Sequence, residues 1–323
     1  MEPMVTIALP TYNRAQTFLR PAIECALGQD WENLEIIVSD NCSTDNTAEV
    51  VKSYSDKRLR YVRQEHNIGA NNNFNFCISE AAGSYFLLFH DDDVIDSDLV
   101  SACMKAANCS TDFGLIRAGT RLIDGNGAVI RDIPNTAGGR DYVEFFRGWM
   151  RGEFTSYVCS TLFNTKLLRE VGGFRSSHGL FQDMMVVAKL IARAGHCDVE
   201  AVRASFRRHE ENYGNAADLR AWCEDGKELA QTIADEAPAD GQALYSESMR
   251  YLCGTVYGYA RRFIASPVER VRAYRMIQAE FHDCYPVTRY IYNQDIRRRY
   301  RMIRGPVRRF VNRMIGRQAA ASR

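Results

Sequence analysis

The stretch Phe86-Leu87-Leu88-Phe89-His90-Asp91-Asp92-Asp93 decides how the rest of the chain is read. A run of apolar and aromatic side chains ends abruptly in three consecutive carboxylates. The apolar part, bounded upstream by Gly83, predicts a buried strand. Three carboxylates at a strand end repel one another unless something neutralises them. Hard oxygen donors suit Mg²⁺ or Mn²⁺, and such a cation can carry phosphate ligands as well. The competing reading is a solvated acidic turn that caps the following helix. The flanking sequence separates the two.

Working outward, residues 5–9, 34–38 and 59–62 are short apolar runs of strand type. Residues 15–27 and 70–82 have helical spacing, a helix starts at Thr44-Asp45, and another spans about 96–107. Strand and helix alternate four times, which predicts a mainly parallel α/β sheet. Ligands bind such sheets at the carboxyl ends of the strands. Pro10-Thr11-Tyr12-Asn13-Arg14, Ser39-Asp40-Asn41 and the three carboxylates all fall there. From Phe113 the pattern changes. Residues 115–123 and 129–133 flank Asp124-Gly125-Asn126-Gly127, a hairpin signal. A helix is expected over 142–150, a strand over 157–163 and a short helix capped by Asn164. The tight turn Val171-Gly172-Gly173-Phe174 precedes Gln182-Asp183, which leads into an apolar helix over 184–194. Residues 197–206 return as a strand, and helices alone follow Asn215.

The 323 residues carry a formal net charge of +1, unevenly spread. From Gly241 onward there are 17 Lys and Arg against 5 Asp and Glu, while the first 240 residues hold 24 against 35. That asymmetry predicts an acidic body with a basic appendage. The ten cysteines form no CxxC and no zinc-type spacing. Met1 to Met4 includes Glu2 and Pro3, unlike a secretory leader. No run reaches the ~18 apolar residues of a membrane span. Reduced thiols in a cytoplasmic protein are the expectation.

Six motifs in order, over residues 5–213, resemble the inverting family 2 glycosyltransferases. They are the Pro10–Arg14 turn, Ser39-Asp40-Asn41-Cys42-Ser43-Thr44-Asp45-Asn46-Thr47, Asn67-Ile68-Gly69 followed by Asn75, the acidic strand end, Gly172-Gly173-Phe174 and Gln182-Asp183. The resemblance implies a GT-A-type, Rossmann-like, mainly parallel sheet flanked by helices. It implies transfer of one hexose-like sugar from a nucleotide-sugar donor to a glycan or lipid-linked glycan, in polysaccharide or cell-envelope assembly. Pro10, Tyr12, Arg14, Asp40, Asn67, Asn75 and Asp91 are implied nucleotide contacts. Tyr12 would stack on the base. Asp40 would accept a pyrimidine imide N–H, which favours a UDP- or dTDP-sugar. Asp92 and Asp93, with His209 near the diphosphate, would hold Mg²⁺ or Mn²⁺. Asp183 would be the base that deprotonates the acceptor hydroxyl.

Three positions depart from the family pattern. His90 stands where Asp is frequent, Phe74 where Arg is frequent, and Gln182 where Glu is frequent. A metal-ligating His90 is the second reading, because a carboxylate-rich site prefers oxygen donors. The mark of processive synthases, QxxRW, is absent from the sequence, so single-sugar transfer is expected.

The division expected is a catalytic domain over residues 1–214 and an all-helical extension over 215–323. In the latter, apolar residues 292, 296, 300, 303, 307, 310 and 314 share a helical face opposite many arginines. A basic amphipathic helix predicts contact with an anionic membrane surface, which would place the protein peripherally on the inner face of the cytoplasmic membrane. Packing against the catalytic body is the competing reading. Nucleic acid is not expected as a partner. Two other function classes stay open: a sugar nucleotidyltransferase, whose phosphate-cradling glycine loop this sequence lacks, and a non-catalytic nucleotide-sugar-binding protein.

Overall fold

The structure, a computed structural model, describes residues 2–209, 218–237 and 239–291. Its amino-terminal half alternates as expected: β1 (Val5–Thr11), α1 (Leu19–Leu27), β2 (Leu34–Asp40), α2 (Thr47–Lys52), β3 (Leu59–Arg63), α3 (Ala70–Glu80) and β4 (Tyr85–Leu88). Next come β5 (Val94–Ile95), α4 (Leu99–Ala106), β6 (Leu115–Asp124), β7 (Val129–Ile133) and α5 (Tyr142–Met150). The following elements are β8 (Thr161–Asn164), α6 (Thr165–Glu170), α7 (Gln182–Ala194) and β9 (His196–Arg208). Among the described residues, four helices follow: α8 (Leu219–Asp235), α9 (Gly241–Phe263), α10 (Pro267–Glu280) and α11 (Val287–Ile291).

The strands form one sheet in the order β3-β2-β1-β4-β8-β6-β9-β5, with β7 paired to β6. The β3, β2, β1 and β4 ladders are parallel, whereas β8 runs antiparallel to both β4 and β6. β6 and β9 are parallel to each other. Every residue of β1 is buried, as is every residue of β4. Burial on both faces explains why these strands read as continuous apolar runs rather than alternating ones. Ile7, Leu9, Ile36, Val38 and Leu87 join Leu19, Ile23, Leu99 and Cys103 of α1 and α4 in one core.

Local departures from expectation have physical reasons. Residues 15–18 are turn rather than helix, and α1 opens only at Leu19, with Pro21 inside its first turn, where no intrahelical N–H is needed. The strand expected over 157–163 is shortened to Thr161–Asn164, because a 3₁₀ turn over Val158–Ser160 precedes it. β5 was not anticipated: two residues carry no periodic signal. It pairs antiparallel with β9, Val94 opposite Ser205 and Ile95 opposite Ala204. That pairing carries the end of β9 to the carboxylates.

The chain divides into two compact units, one reaching Ser248 and one starting at Met249. α8, in the first unit, packs along α7. In the second, Tyr257 meets Tyr274 and Tyr290 with ring centroids 5.3 and 4.9 Å away, and its hydroxyl donates to the Tyr285 carbonyl at 2.9 Å. No helix among the described residues is long and apolar enough to cross a membrane. The basic stretch over 292–323, which carries the expected amphipathic face, lies outside the described residues.

Candidate active site

The loops that leave β1 and β2 are stitched together. The Asn13 N–H donates to Ser43 Oγ at 2.9 Å, the Thr44 N–H to Asn13 Oδ1 at 2.8 Å, and the Ala15 N–H to Asp45 Oδ2 at 3.1 Å. Asn13 adopts φ 53°, a left-handed conformation that Asn tolerates. From β4 the chain runs straight into the carboxylates. The Thr11 hydroxyl donates to Asp91 Oδ2 at 2.6 Å, joining the ends of β1 and β4. Burial pushes the Asp91 carboxyl up to about 7, against the pull of the Thr11 hydroxyl and the charge of Arg14.

These ends open onto a cavity of about 550 Å³. Of the residues singled out in the sequence, Pro10, Tyr12, Arg14, Asp91, Asp92 and Asp183 line it together. Tyr12 lines the cavity and is 45 % exposed. Asp40, Asn67, Asn75, Asp93 and His209 are not on the lining. Asp40 is buried, with Oδ1 accepting from the Ser43 N–H at 2.8 Å and Oδ2 from the Tyr61 hydroxyl at 2.6 Å. Asn67 Oδ1 accepts from Asn41 Nδ2 and the Gly69 N–H, both at 2.9 Å, and so shapes its own loop. Asn75 reaches the Gly-Gly-Phe turn: its Nδ2 donates to the Phe174 carbonyl and its Oδ1 accepts the Phe174 N–H, both at 2.9 Å. His209 Nε2 lies 2.9 Å from Asp92 Oδ2.

Among the described residues, one set of side chains fits a divalent cation. The ligand atoms of His90, Asp92 and Asp93 lie within 4.8 Å of one another. Asp93 Oδ1 accepts the Arg207 N–H at 2.9 Å and the Cys159 thiol lies against the same carboxyl, whereas His90 Nε2 is buried without a hydrogen-bond partner. Burial, then the neighbouring Asp92 charge, raises the Asp93 carboxyl well above its ordinary range. Burial lowers the pKa of His90 and favours the neutral ring. Buried polar atoms are rarely left unpaired in a folded protein, and bound ions are one reason that they are.

Asp183 is the second residue of α7, and its Oδ1 accepts the Met184 N–H at 2.8 Å. Burial raises its carboxyl to about 6. Next to it, Gln182 Nε2 donates to Asn71 Oδ1 at 2.8 Å. The preceding loop is held from α8. Asp225, fully buried, accepts from Ser176 Oγ at 2.7 Å and from the N–H groups of His178 and Leu180 at 2.9 Å. Sequence reading missed Leu180, Phe206, Tyr157 and Trp222, which with Phe74 form an apolar wall. Tyr157 and Phe206 stack at 4.3 Å, and Trp222 meets Phe181 edge-on at 5.1 Å. The polar Asn41 and Asn73 also line the cavity.

The sheet is parallel at one end, with a carboxylate-lined cavity at the carboxyl ends of its strands, and its likeness to solved structures makes it a GT-A type of α/β fold. Solved structures share that fold. S. aureus TarS 1-349 in complex with UDP-GlcNAc is 18 % identical, with a TM-score of 0.64, over 87 % of this chain and 81 % of that one. The mannosyltransferase PcManGT from Pyrobaculum calidifontis, in complex with GDP-Man and Mn²⁺, is 17 % identical, with a TM-score of 0.52, over 91 % and 89 %.

Residues 6–127 match Glycosyl transferase family 2, and that segment belongs to the family. An uncharacterized glycosyltransferase of Rickettsia felis is 33 % identical over 222 residues, which cover 65 % of this chain and 35 % of that protein. The GalNAc(5)-diNAcBac-PP-undecaprenol beta-1,3-glucosyltransferase of Campylobacter jejuni is 38 % identical over 109 residues, or 33 % of this chain and 35 % of that protein. The chain thus spans about a third of the length of these two relatives.

Proposed function

We propose that the protein is an inverting glycosyltransferase that moves a single sugar from a nucleotide-sugar donor to a hydroxyl of a glycan or lipid-linked glycan. The observation that carries this is one cavity lined both by the strand-end carboxylates Asp91 and Asp92 and by Asp183. Inversion needs one base and no protein nucleophile, because the acceptor attacks the face opposite the leaving diphosphate. The transition state is oxocarbenium-like.

Tyr12 stacks on the base, and Arg14 offers its guanidinium to the phosphates. Asp40 is the least direct of the expected contacts, since its two oxygens already accept from Ser43 and Tyr61. Asn67 and Asn75 serve by holding loops. A divalent cation on Asp92 and Asp93 would stabilise the charge that builds on the leaving diphosphate. His209 holds Asp92 in place for that contact. Asp183 removes the acceptor proton. A lipid-linked acceptor is favoured by the similarity to the undecaprenol-linked glucosyltransferase of C. jejuni.

Donor hydrolysis tests the reading. UDP- and dTDP-sugars incubated with Mn²⁺ or Mg²⁺ should release nucleotide, and EDTA should stop the release. Binding of those donors without any hydrolysis or transfer would make the protein a binding module instead.

A further inference from the structure

His90 and Phe74 stand where the family frequently has Asp and Arg, and the structure brings the two replacements together. Their rings stack with centroids 5.1 Å apart and planes 29° from parallel. An aromatic pair thus occupies two positions at which charged residues are frequent. The stack fixes the imidazole plane beside the carboxylates, as neighbouring groups commonly fix a ligating histidine. His90 shares the cluster of ligand atoms with Asp92 and Asp93, all within 4.8 Å. Its Nε2 is buried and unpartnered, and the Asp93 carboxyl beside it, only 3 % exposed, has the Arg207 N–H and the Cys159 thiol as neighbours.

We propose that His90 is a nitrogen ligand of this cation site, and that the site therefore prefers transition-metal dications such as Mn²⁺, Co²⁺ or Zn²⁺ over Mg²⁺. The proposal deepens the metal-assisted reading above. Mg²⁺ is hard, holds oxygen ligands and gives up its waters reluctantly. Imidazole is a softer donor, and affinity at mixed nitrogen and oxygen sites rises from Mn²⁺ towards the later metals. A carboxylate at position 90 would remove that bias. His209 is bonded to Asp92 Oδ2 and orients that ligand rather than supplying the nitrogen.

The test is Mn²⁺ titration of the full chain, alone and with UDP, followed by electron paramagnetic resonance with Mg²⁺ and Zn²⁺ as competitors. Wild type should show ¹⁴N coupling to bound Mn²⁺, and displacing it should take at least about tenfold more Mg²⁺ than Zn²⁺. His90→Gln should lose the coupling and weaken Mn²⁺ binding by at least about tenfold, the lower end of what losing even a ligand-orienting partner costs. His90→Asp should bind Mn²⁺ without ¹⁴N coupling and let Mg²⁺ compete better. His209→Gln should keep the coupling. Undetectable Mn²⁺ binding, absence of ¹⁴N coupling in wild type, its survival in His90→Gln, its loss in His209→Gln, or equal competition by Mg²⁺ and Zn²⁺ would each overturn the proposal. Should His90→Gln fail to fold, the wild-type, His90→Asp and His209→Gln measurements decide. No turnover is needed. Nitrogen-ligated Mn²⁺ in a chain that hydrolyses no donor keeps this inference while removing the transferase reading, and the reverse result separates them the other way.

Discussion

At Asp183, burial raises the carboxyl while the Met184 N–H draws it down, and the balance lies at about 6. A raised carboxyl is a stronger base than an ordinary one, yet it is still ionised at neutral pH. The sign of the pH effect follows: the ionised form fills as pH rises through about 6, so kcat should climb between roughly pH 5 and pH 7. Asp183→Asn should lower kcat by about 10²–10⁴-fold and flatten that limb, leaving donor affinity nearly unchanged. Loss of UDP binding with an intact rate at saturation would instead make Asp183 a binding residue. Gly173 presents a different constraint. It has φ 73°, and a Cβ there would lie 2.1 Å from Asn75 Oδ1. Gly173→Ala and Asn75→Ala should each destabilise by about 1–3 kcal/mol. The double variant should be more stable than the sum of the two predicts, by about 1 kcal/mol, because both break the same turn. Urea melts of the four proteins would show simple additivity if the coupling is absent. Asp92 and Asp183 were legible in the sequence because each follows a recognisable apolar run or turn. Asn75 was legible as a motif residue but not in its role. An amide that holds a backbone loop and one that faces a ligand look the same in a sequence.

At the level of elements, the expected alternation of strands and helices appears through β4, since long apolar runs between turns leave little choice. The two-residue β5 and the aromatic wall were not readable. An aromatic residue lining a cavity has the same sequence signature as one in a core, so Tyr157, Phe206 and Trp222 gave no sign of themselves. Nor did the bond between α8 and the loop ahead of α7. Asp225 accepts two backbone N–H groups and one hydroxyl from that loop. Asp225→Ala would leave these donors without their acceptor, at a cost of about 1–3 kcal/mol for a buried group. Because the loop leads directly to Asp183, amide exchange over residues 176–181 should accelerate and kcat should fall, while β1 and β2 exchange as before. Unchanged exchange in the loop would show that α8 does not restrain it.

Across the whole molecule, charge is divided along the chain. Residues 292–323 hold ten arginines and one aspartate. Truncation after Ile291 keeps Tyr290 on Tyr257 and removes the basic stretch. It should leave UDP binding intact and weaken attachment to anionic liposomes, where each basic residue contributes about 1 kcal/mol. The attachment of the full chain should weaken with salt as the Debye length shrinks from ~10 Å at 0.1 M to ~3 Å at 1 M. A soluble truncated chain that sediments with the liposomes as well as the full one would end the membrane reading. The pairing of β5 with β9 has a further consequence, for the order of events on the ribosome. Asp92 and Asp93 are made more than a hundred residues before Ser205 and His209, an interval of about 6–23 s at ordinary synthesis rates. Until then, the acidic strand end has neither the ladder that closes beside it nor the imidazole that rests on Asp92. The nascent chain therefore displays the motif long before it has a site. A fragment ending where the family match ends, at residue 127, would lack the Arg207 N–H, His209 and Asp183 alike.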